Sequence, residues 1–292
     1  MPLKHPAQKR IGVVSVMHSL IDFLCAFSVF GLYRFRSDPF QVFLIYNFCA
    51  FAMQLPLGIL LDAYMDRKRE TRELLPFLAL TLGAFLTAAG CFGGVITLGL
   101  GNALFHSGAG ILSIMEDDAS GMHGAGLGVF VAPGAIGLYL GTVLQSAARV
   151  PLVAVVSAVL AICVLLLYRS LSCCPQPLPS VPEKEPFAGR ALIALALCFG
   201  VVVIRSSVGF AVSFSWKTGF LLSFLSVIAL ASGKAAGGFA AAHFGMRKTV
   251  VVSLLVSAAA FCRKDFLPAG MLALFAFNMT MPLTLYLLSR RF

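Results

Sequence analysis

The chain has 292 residues, of which 59% are hydrophobic and 12% are charged, and its mean hydropathy is +0.93. This composition lies far from that of a soluble globular domain and excludes one as the overall architecture. The formal net charge of +10 fits basic loops beside anionic lipid, so we do not interpret it as nucleic-acid binding.

Apolar segments follow one another along almost the whole chain. A membrane-spanning helix needs about 20 mostly apolar residues, and ten such windows can be placed. They are expected near residues 11–33, 40–62, 75–92, 93–115, 124–146, 151–169, 190–213, 218–242, 247–262 and 266–289. The third and fourth windows share one apolar run, which we divide at Gly90, Gly93 and Gly94 because its length is about twice a bilayer crossing. The predicted fold class is an all-α polytopic membrane protein.

Lysine and arginine are distributed unequally between the predicted loops. Ten spans place both termini on one side of the membrane, and the loops on that side, including the segment that contains Arg10, carry most of the basic residues. Cytoplasmic loops are enriched in these residues. The sequence therefore predicts a multi-pass protein of the plasma (cell inner) membrane with both termini in the cytoplasm.

The character of the chain changes between the sixth and seventh windows. Residues 173–190 read CCPQPLPSVPEKEPFAGR, a stretch with several prolines and charges that is typical of a linker. We therefore predict an N-terminal half with six helices at residues 1–170, a cytoplasmic linker at 171–189, and a C-terminal half with four helices at 190–292.

Similar loops follow the second and the eighth window. The first copy reads GILLDAYMDRKRE from Gly58, and the second reads GFAAAHFGMRK from Gly238. Both resemble the loop signature Gly-x-Leu-x-Asp-x-x-Gly-Arg-Lys of the major facilitator superfamily, although Met65 replaces a glycine in the first copy and Ala242 replaces the acid in the second. The resemblance implies a role in gating for Gly58, Asp62, Arg67, Lys68, Gly245, Arg247 and Lys248.

The resemblance also bears on the number of helices. Members of the superfamily have twelve helices in two sets of six, whereas this chain offers six plus four. A C-terminal truncation, a partial sequence or a natural ten-helix variant would each account for the difference.

Polar side chains inside the apolar windows are the strongest functional signal, because a charge at the centre of a spanning helix costs about 2.5 to 3.5 kcal/mol. His18 and Asp22 are four residues apart and share one face of the first window. Comparable positions in the fourth, seventh and tenth windows hold Asn102, His106, Arg205 and Asn278. In the family that the chain resembles, helices one, four, seven and ten line the central cavity.

These residues can be assigned to two roles. A histidine beside a carboxylate forms a plausible proton carrier, so proton coupling is assigned to His18, Asp22 and His106. Substrate binding is assigned to Asn102, Arg205 and Asn278. Three structural alternatives stay open: His18 and Asp22 can fix helix packing, His106 can bond a backbone carbonyl, and Arg205 can reach to the membrane interface.

The fifth window contains GVFVAPGAIG, in which a proline interrupts the helix between small residues. It is similar to the Gly-Pro motif of exchangers in the same superfamily. We predict a bend formed by Gly128, Pro133, Gly134 and Gly137, and a tightly packed helix without a transport role is the alternative.

Enzyme and metal motifs are not found in the sequence. There is no HExxH or GxSxG pattern, so no catalytic activity and no cofactor are expected. No metal site is expected either, because neither the Cys173 and Cys174 pair nor the acidic run from Glu116 to Asp118, placed in the loop after the fourth window, has further ligands nearby.

The sequence therefore favours transport. The HxxxD pattern at His18 and the GNALFH pattern at residues 101–106 are similar to the branch that includes the fosmidomycin-resistance exporters. They predict proton-coupled export of a small organic solute or drug by alternating access. Uptake of a small organic anion at Arg205 and a truncated chain that does not transport are the alternatives. The expected partners are the substrate, protons and the lipid bilayer; the identity of the substrate and the oligomeric state stay open.

Overall fold

The structure is a computed structural model that describes residues 6–36, 38–67, 74–173 and 212–291, together with parts of 193–211. Within these ranges the regular structure is helical. The helices are α1 (Pro6–Ser28), α2 (Pro39–Asn47), α3 (Gln54–Arg67), α4 (Leu74–Gly93), α5 (Val95–Ala119), α6 (Ala125–Val143), α7 (Arg149–Cys173), α8 (Gly219–Phe244), α9 (Met246–Phe261), α10 (Leu267–Asn278) and α11 (Thr280–Arg291). Short π-helical segments at Val29–Tyr33 and Phe48–Ala52 extend α1 and α2.

Eight helical stretches among the described residues are long and apolar enough to cross a membrane. They are Pro6–Tyr33, Pro39–Asp66, Leu74–Gly93, Val95–Ala119, Ala125–Val143, Arg149–Cys173, Gly219–Phe244 and Leu267–Leu287. Each coincides with one of the ten expected windows. The all-α architecture is therefore that expected of a multi-pass membrane protein.

The two remaining windows differ from these eight. The window at 247–262 corresponds to α9, which has 16 residues and is shorter than the others. The window at 190–213 is described only in part. A total of ten spanning helices thus stays a prediction.

The division of the long apolar run into two helices is confirmed. α4 ends at Gly93 and α5 begins at Val95. Gly94 between them has a φ of +132°, a backbone conformation that residues other than glycine rarely adopt. The two helices then lie very close together, because a Cβ at Gly101 or Gly108 would collide with backbone atoms of α4.

The chain divides into two compact units. The first contains Met1–Gly121 and Val129–Leu178, and the second contains Met122–Gly128 and Pro179–Phe292. Residues 174–189 of the predicted linker lie outside the described part of the chain, so a boundary at that linker stays a prediction.

In the first unit, α1 is the helix around which the others pack. It contacts α4, α5 and α7, and Met17, Ile21 and Leu24 on it are completely buried. Burying a side chain of this size contributes about 1.5 to 3 kcal/mol relative to exposure in water, but lipid is equally apolar. Close packing and polar contacts therefore determine how α1 is held among its neighbours.

A buried ion pair joins three helices of the first unit. Arg10 Nη1 donates to Glu116 Oε1 at 2.6 Å, and Arg10 Nη2 donates to the carbonyl oxygen of Ser170 at 2.8 Å. Arg10 is 1% exposed and Glu116 is 3% exposed. The sequence-based placement of Glu116 in a loop is wrong, since α5 continues to Ala119. Arg10 likewise lies inside α1, which begins at Pro6. The two charges offset each other, so both helices extend beyond their apolar windows.

We expect Glu116→Ala to destabilise the protein by about 3 to 5 kcal/mol, because the buried guanidinium of Arg10 then loses the Glu116 carboxylate. The measurement is thermal unfolding of the purified protein in detergent. The double variant Arg10→Met with Glu116→Leu should recover much of the loss, since a buried ion pair can often be replaced by apolar groups at little cost. Lys9→Met, at an exposed neighbour, is the control. A single variant as stable as the wild type would contradict the assigned role of the pair.

In the second unit, two connecting segments are tied together by polar contacts. Asp265 Oδ1 accepts a hydrogen bond from the backbone N–H of Ser215 at 3.0 Å, and Trp216 Nε1 donates to the carbonyl oxygen of Lys264 at 2.7 Å. The hydrogen bonds from Ser215, with a smaller contribution from Lys264, lower the pKa of Asp265. The carboxylate form makes these contacts, so they weaken as the pH falls through that lowered pKa.

Candidate functional site

Three ionisable side chains meet inside the first unit. On α1, His18 Nε2 lies 3.2 Å from Asp22 Oδ2, one helical turn away. On α5, His106 Nε2 lies 3.5 Å from the other carboxylate oxygen, Asp22 Oδ1. The side chains are 8%, 17% and 17% exposed for His18, Asp22 and His106. We call these three residues the His–Asp–His cluster, in which one carboxylate lies between two imidazoles.

Backbone carbonyl groups fix the far side of each imidazole ring. His18 Nδ1 lies 2.8 Å from the carbonyl oxygen of Phe130, and His106 Nδ1 lies 2.9 Å from that of Asn102. A carbonyl oxygen can only accept a hydrogen bond, so these contacts assign a proton to each Nδ1. In the neutral form of each histidine the lone pair is therefore on Nε2, the atom that faces Asp22.

This arrangement gives the cluster three charge states. With both histidines neutral and Asp22 ionised, the net charge is −1. A nitrogen lone pair then faces a carboxylate oxygen in each of two gaps, one between His18 Nε2 and Asp22 Oδ2 and one between His106 Nε2 and Asp22 Oδ1. One added proton turns one gap into a hydrogen bond and brings the charge to zero. A second proton does the same in the other gap and brings the charge to +1. The geometry can thus take up two protons, and the carboxylate is shared by both positions.

A third helix closes the cluster on one side. The Phe130 ring of α6 lies over His18 with ring centroids 4.7 Å apart. At Gly134, one turn further along α6, an added Cβ would lie 2.5 Å from both Asp22 Oδ2 and His18 Nε2. A side chain at this position would force these polar atoms or α6 to move.

Asn102 extends the polar region beside the cluster. It lies one turn before His106 on α5, is 2% exposed, and its Nδ2 donates to the Tyr46 hydroxyl at 2.6 Å. Its Oδ1 is buried and has no hydrogen-bond partner among the described residues. Asn102 therefore offers an acceptor next to the cluster, and its assignment to substrate binding stays a prediction.

The other predicted substrate-binding residues are not part of this group. Asn278 is in the second unit, where it is 7% exposed and its Nδ2 donates to the carbonyl oxygen of Leu274 on the same helix at 2.8 Å. Arg205 lies outside the described residues. Their assignment to substrate binding stays a prediction.

The predicted gating residues that the structure describes lie on α3 and around the junction of α8 and α9. Asp62 is exposed on α3, which ends at Arg67, and Lys68 lies outside the described residues. Gly245 separates α8 from α9 with a φ of +87°. An added Cβ at Gly58 on α3 would meet no atom within 4 Å, and Arg247 and Lys248 are exposed at the start of α9. The gating role stays a prediction.

The small residues of the fifth window are sites of close approach. Besides Gly134, an added Cβ at Gly137 would collide with the backbone of Ser19 on α1, and one at Gly128 would lie 3.0 Å from the carbonyl oxygen of Ala235 on α8. Pro133 lies inside α6, which continues on both sides of it. The predicted bend stays a prediction.

Two contributors to the site were not predicted from the sequence. Phe130 contributes mainly its backbone carbonyl, which no side-chain pattern reveals. Tyr46 is an aromatic residue in an apolar window, and only its buried hydroxyl, which needs a partner, could have indicated its role.

Comparison of the chain with protein-family models and with curated proteins finds no match. The geometry of the His–Asp–His cluster is therefore the observation on which a functional assignment depends.

Proposed function

We propose that the chain is a secondary active transporter that exports a small organic solute or drug in exchange for protons, and that the His–Asp–His cluster is its proton-coupling site. One observation carries this proposal: the carboxylate of Asp22 lies between the Nε2 atoms of His18 and His106, at 3.2 and 3.5 Å, within helices that are apolar enough to span a membrane.

The physical basis is the cost of charge in an apolar medium. A net charge inside the membrane is stabilised only by water or by a counter-charge. The cluster is neutral with one added proton and charged with none or two. The neutral cluster is therefore favoured in a conformation that shields it from water, and the charged cluster in one that exposes it. Coupling of a proton to alternating access requires such a link between protonation and conformation.

The resemblance to the major facilitator superfamily supports the same proposal. The two related loops after the second and eighth windows belong to that resemblance, and so do the polar residues of the first and fourth windows. On this proposal the chain lies in the plasma (cell inner) membrane with both termini in the cytoplasm, and Asn102 contributes to the substrate site beside the cluster.

The test uses the full chain in proteoliposomes. A proton gradient is imposed, and the movement of a panel of fluorescent cationic, neutral and anionic drug-like solutes is recorded. We expect gradient-driven flux of at least one class of solute, with the direction set by the sign of the gradient and with loss of flux when a protonophore is added. Flux that ignores the gradient, or no flux above protein-free liposomes for the whole panel, would contradict the proposal.

A further inference from the structure

We propose that the His–Asp–His cluster is also a binding site for one divalent transition metal ion of the zinc type. The first observation is the set of ligand atoms. One nitrogen from each of His18 and His106 and one carboxylate oxygen of Asp22 all lie within 4.8 Å of one another. Zinc binds histidine nitrogen and carboxylate oxygen at about 2.0 to 2.2 Å, so neighbouring ligands of a tetrahedral ion are about 3.3 Å apart. The nitrogen-to-oxygen distances of 3.2 Å from His18 to Oδ2 and 3.5 Å from His106 to Oδ1 are close to that separation, although each is to a different oxygen of Asp22.

The second observation is the orientation of the imidazoles. A histidine that binds a metal usually donates its other ring N–H to a carbonyl or carboxylate oxygen, which fixes the tautomer and the ring direction. Both rings have this arrangement, with Nδ1 held by the carbonyl oxygens of Phe130 and Asn102 at 2.8 and 2.9 Å. The two Nε2 lone pairs are therefore available on the side of Asp22 without any change of tautomer.

The third observation concerns charge and space. When the cluster carries no added proton, its net charge is −1 and two lone pairs face the carboxylate, so a cation placed between them relieves the repulsion. Gly134 places no side chain beside Asp22 Oδ2 and His18 Nε2, while the Phe130 ring of the same helix covers His18. Three protein ligands are one fewer than the four of a structural zinc site, so a bound ion would take water or another ligand as its fourth.

The donor set defines the class of ion. Imidazole nitrogen suits Zn²⁺, Co²⁺, Ni²⁺ and Cu²⁺, whereas Mg²⁺ and Ca²⁺ prefer oxygen ligands. The ion and the added protons use the same lone pairs, so metal binding requires the unprotonated cluster. This inference does not rest on the proposed transport function, because binding is measured on purified protein without a membrane gradient.

The experiment uses the full chain in detergent, purified with a tag that contains no histidine. Co²⁺ is added while visible absorption is recorded, and Zn²⁺ binding is measured by calorimetry. We expect one ion per chain, weak visible bands of cobalt bound by nitrogen and oxygen, and no strong near-ultraviolet band of cobalt bound to thiolate. Affinity should fall at least about tenfold in His106→Gln and in His18→Gln.

Two controls make the result specific. His243→Gln, at an exposed histidine near the end of α8, should bind the ion like the wild type, and gel filtration with a melting temperature shows which variants are folded. Because the two cluster histidines lie on different helices, one folded variant is sufficient for the test. Absence of binding by the wild type, unchanged affinity in a folded cluster variant, or a thiolate band would each overturn the proposal. Proton-driven flux is measured separately, so failure of either proposal is distinguishable from failure of the other.

Discussion

Asp22→Asn is expected to reduce proton-driven flux to the level of protein-free liposomes while the protein still inserts into the membrane. The carboxylate of Asp22 contacts both imidazoles of the cluster. An amide of the same shape carries no charge, so a proton taken up by either imidazole no longer has a counter-charge beside it. The neutral protonated state of the cluster is therefore lost. The measurement is the initial rate of gradient-driven flux in matched proteoliposomes.

The control for this variant is Asp265→Asn, which makes the same chemical change in an exposed loop of the second unit. It should transport like the wild type. Asp22→Glu, which keeps the acid on a longer side chain, should retain part of the flux. If the Asp22→Asn protein is folded and still transports with wild-type dependence on the gradient, Asp22 has no role in coupling.

The part of the site that could be predicted from the sequence depends on local geometry. Residues four apart in a helix share a face, so His18 and Asp22 had to be neighbours once the first window was helical. Depth within an apolar window is also a local quantity, and it placed His106 at the level of Asp22, which His106 contacts in the structure. The helix break at Gly94 was expected because the apolar run exceeds one bilayer crossing.

The part that could not be predicted depends on contacts between distant residues. Hydropathy treats Arg10 and Glu116 as ends of helices, because each charge is scored alone, yet together they form a buried pair and both helices continue past them. The state of the imidazoles is likewise set by carbonyl groups, one of them at Phe130 on another helix. Backbone atoms are the same in every residue, so sequence patterns do not reveal which carbonyl faces a histidine.

Gly134→Ala is the second variant for which we expect a large effect, since it tests the cluster without altering any of its ionisable groups. The new methyl group would lie 2.5 Å from Asp22 Oδ2 and His18 Nε2, well inside van der Waals contact, so α6 or the two side chains must move. In enzymes a displacement of about 1 Å at the reacting groups can cost about 100-fold in rate, and we expect flux to fall at least about tenfold.

Gly12→Ala is the matched control for this variant. An added Cβ at Gly12 on α1 meets no atom within 4 Å, and alanine stabilises a helix interior by about 0.5 to 1 kcal/mol relative to glycine. This variant should therefore be at least as stable as the wild type and equally active. Initial flux rates and melting temperatures of both variants are compared with those of the wild type. Wild-type flux in Gly134→Ala would mean that close contact between α6 and the cluster is not needed for coupling, whereas equal losses in both variants would mean that the effect arises from helix stability rather than from the cluster.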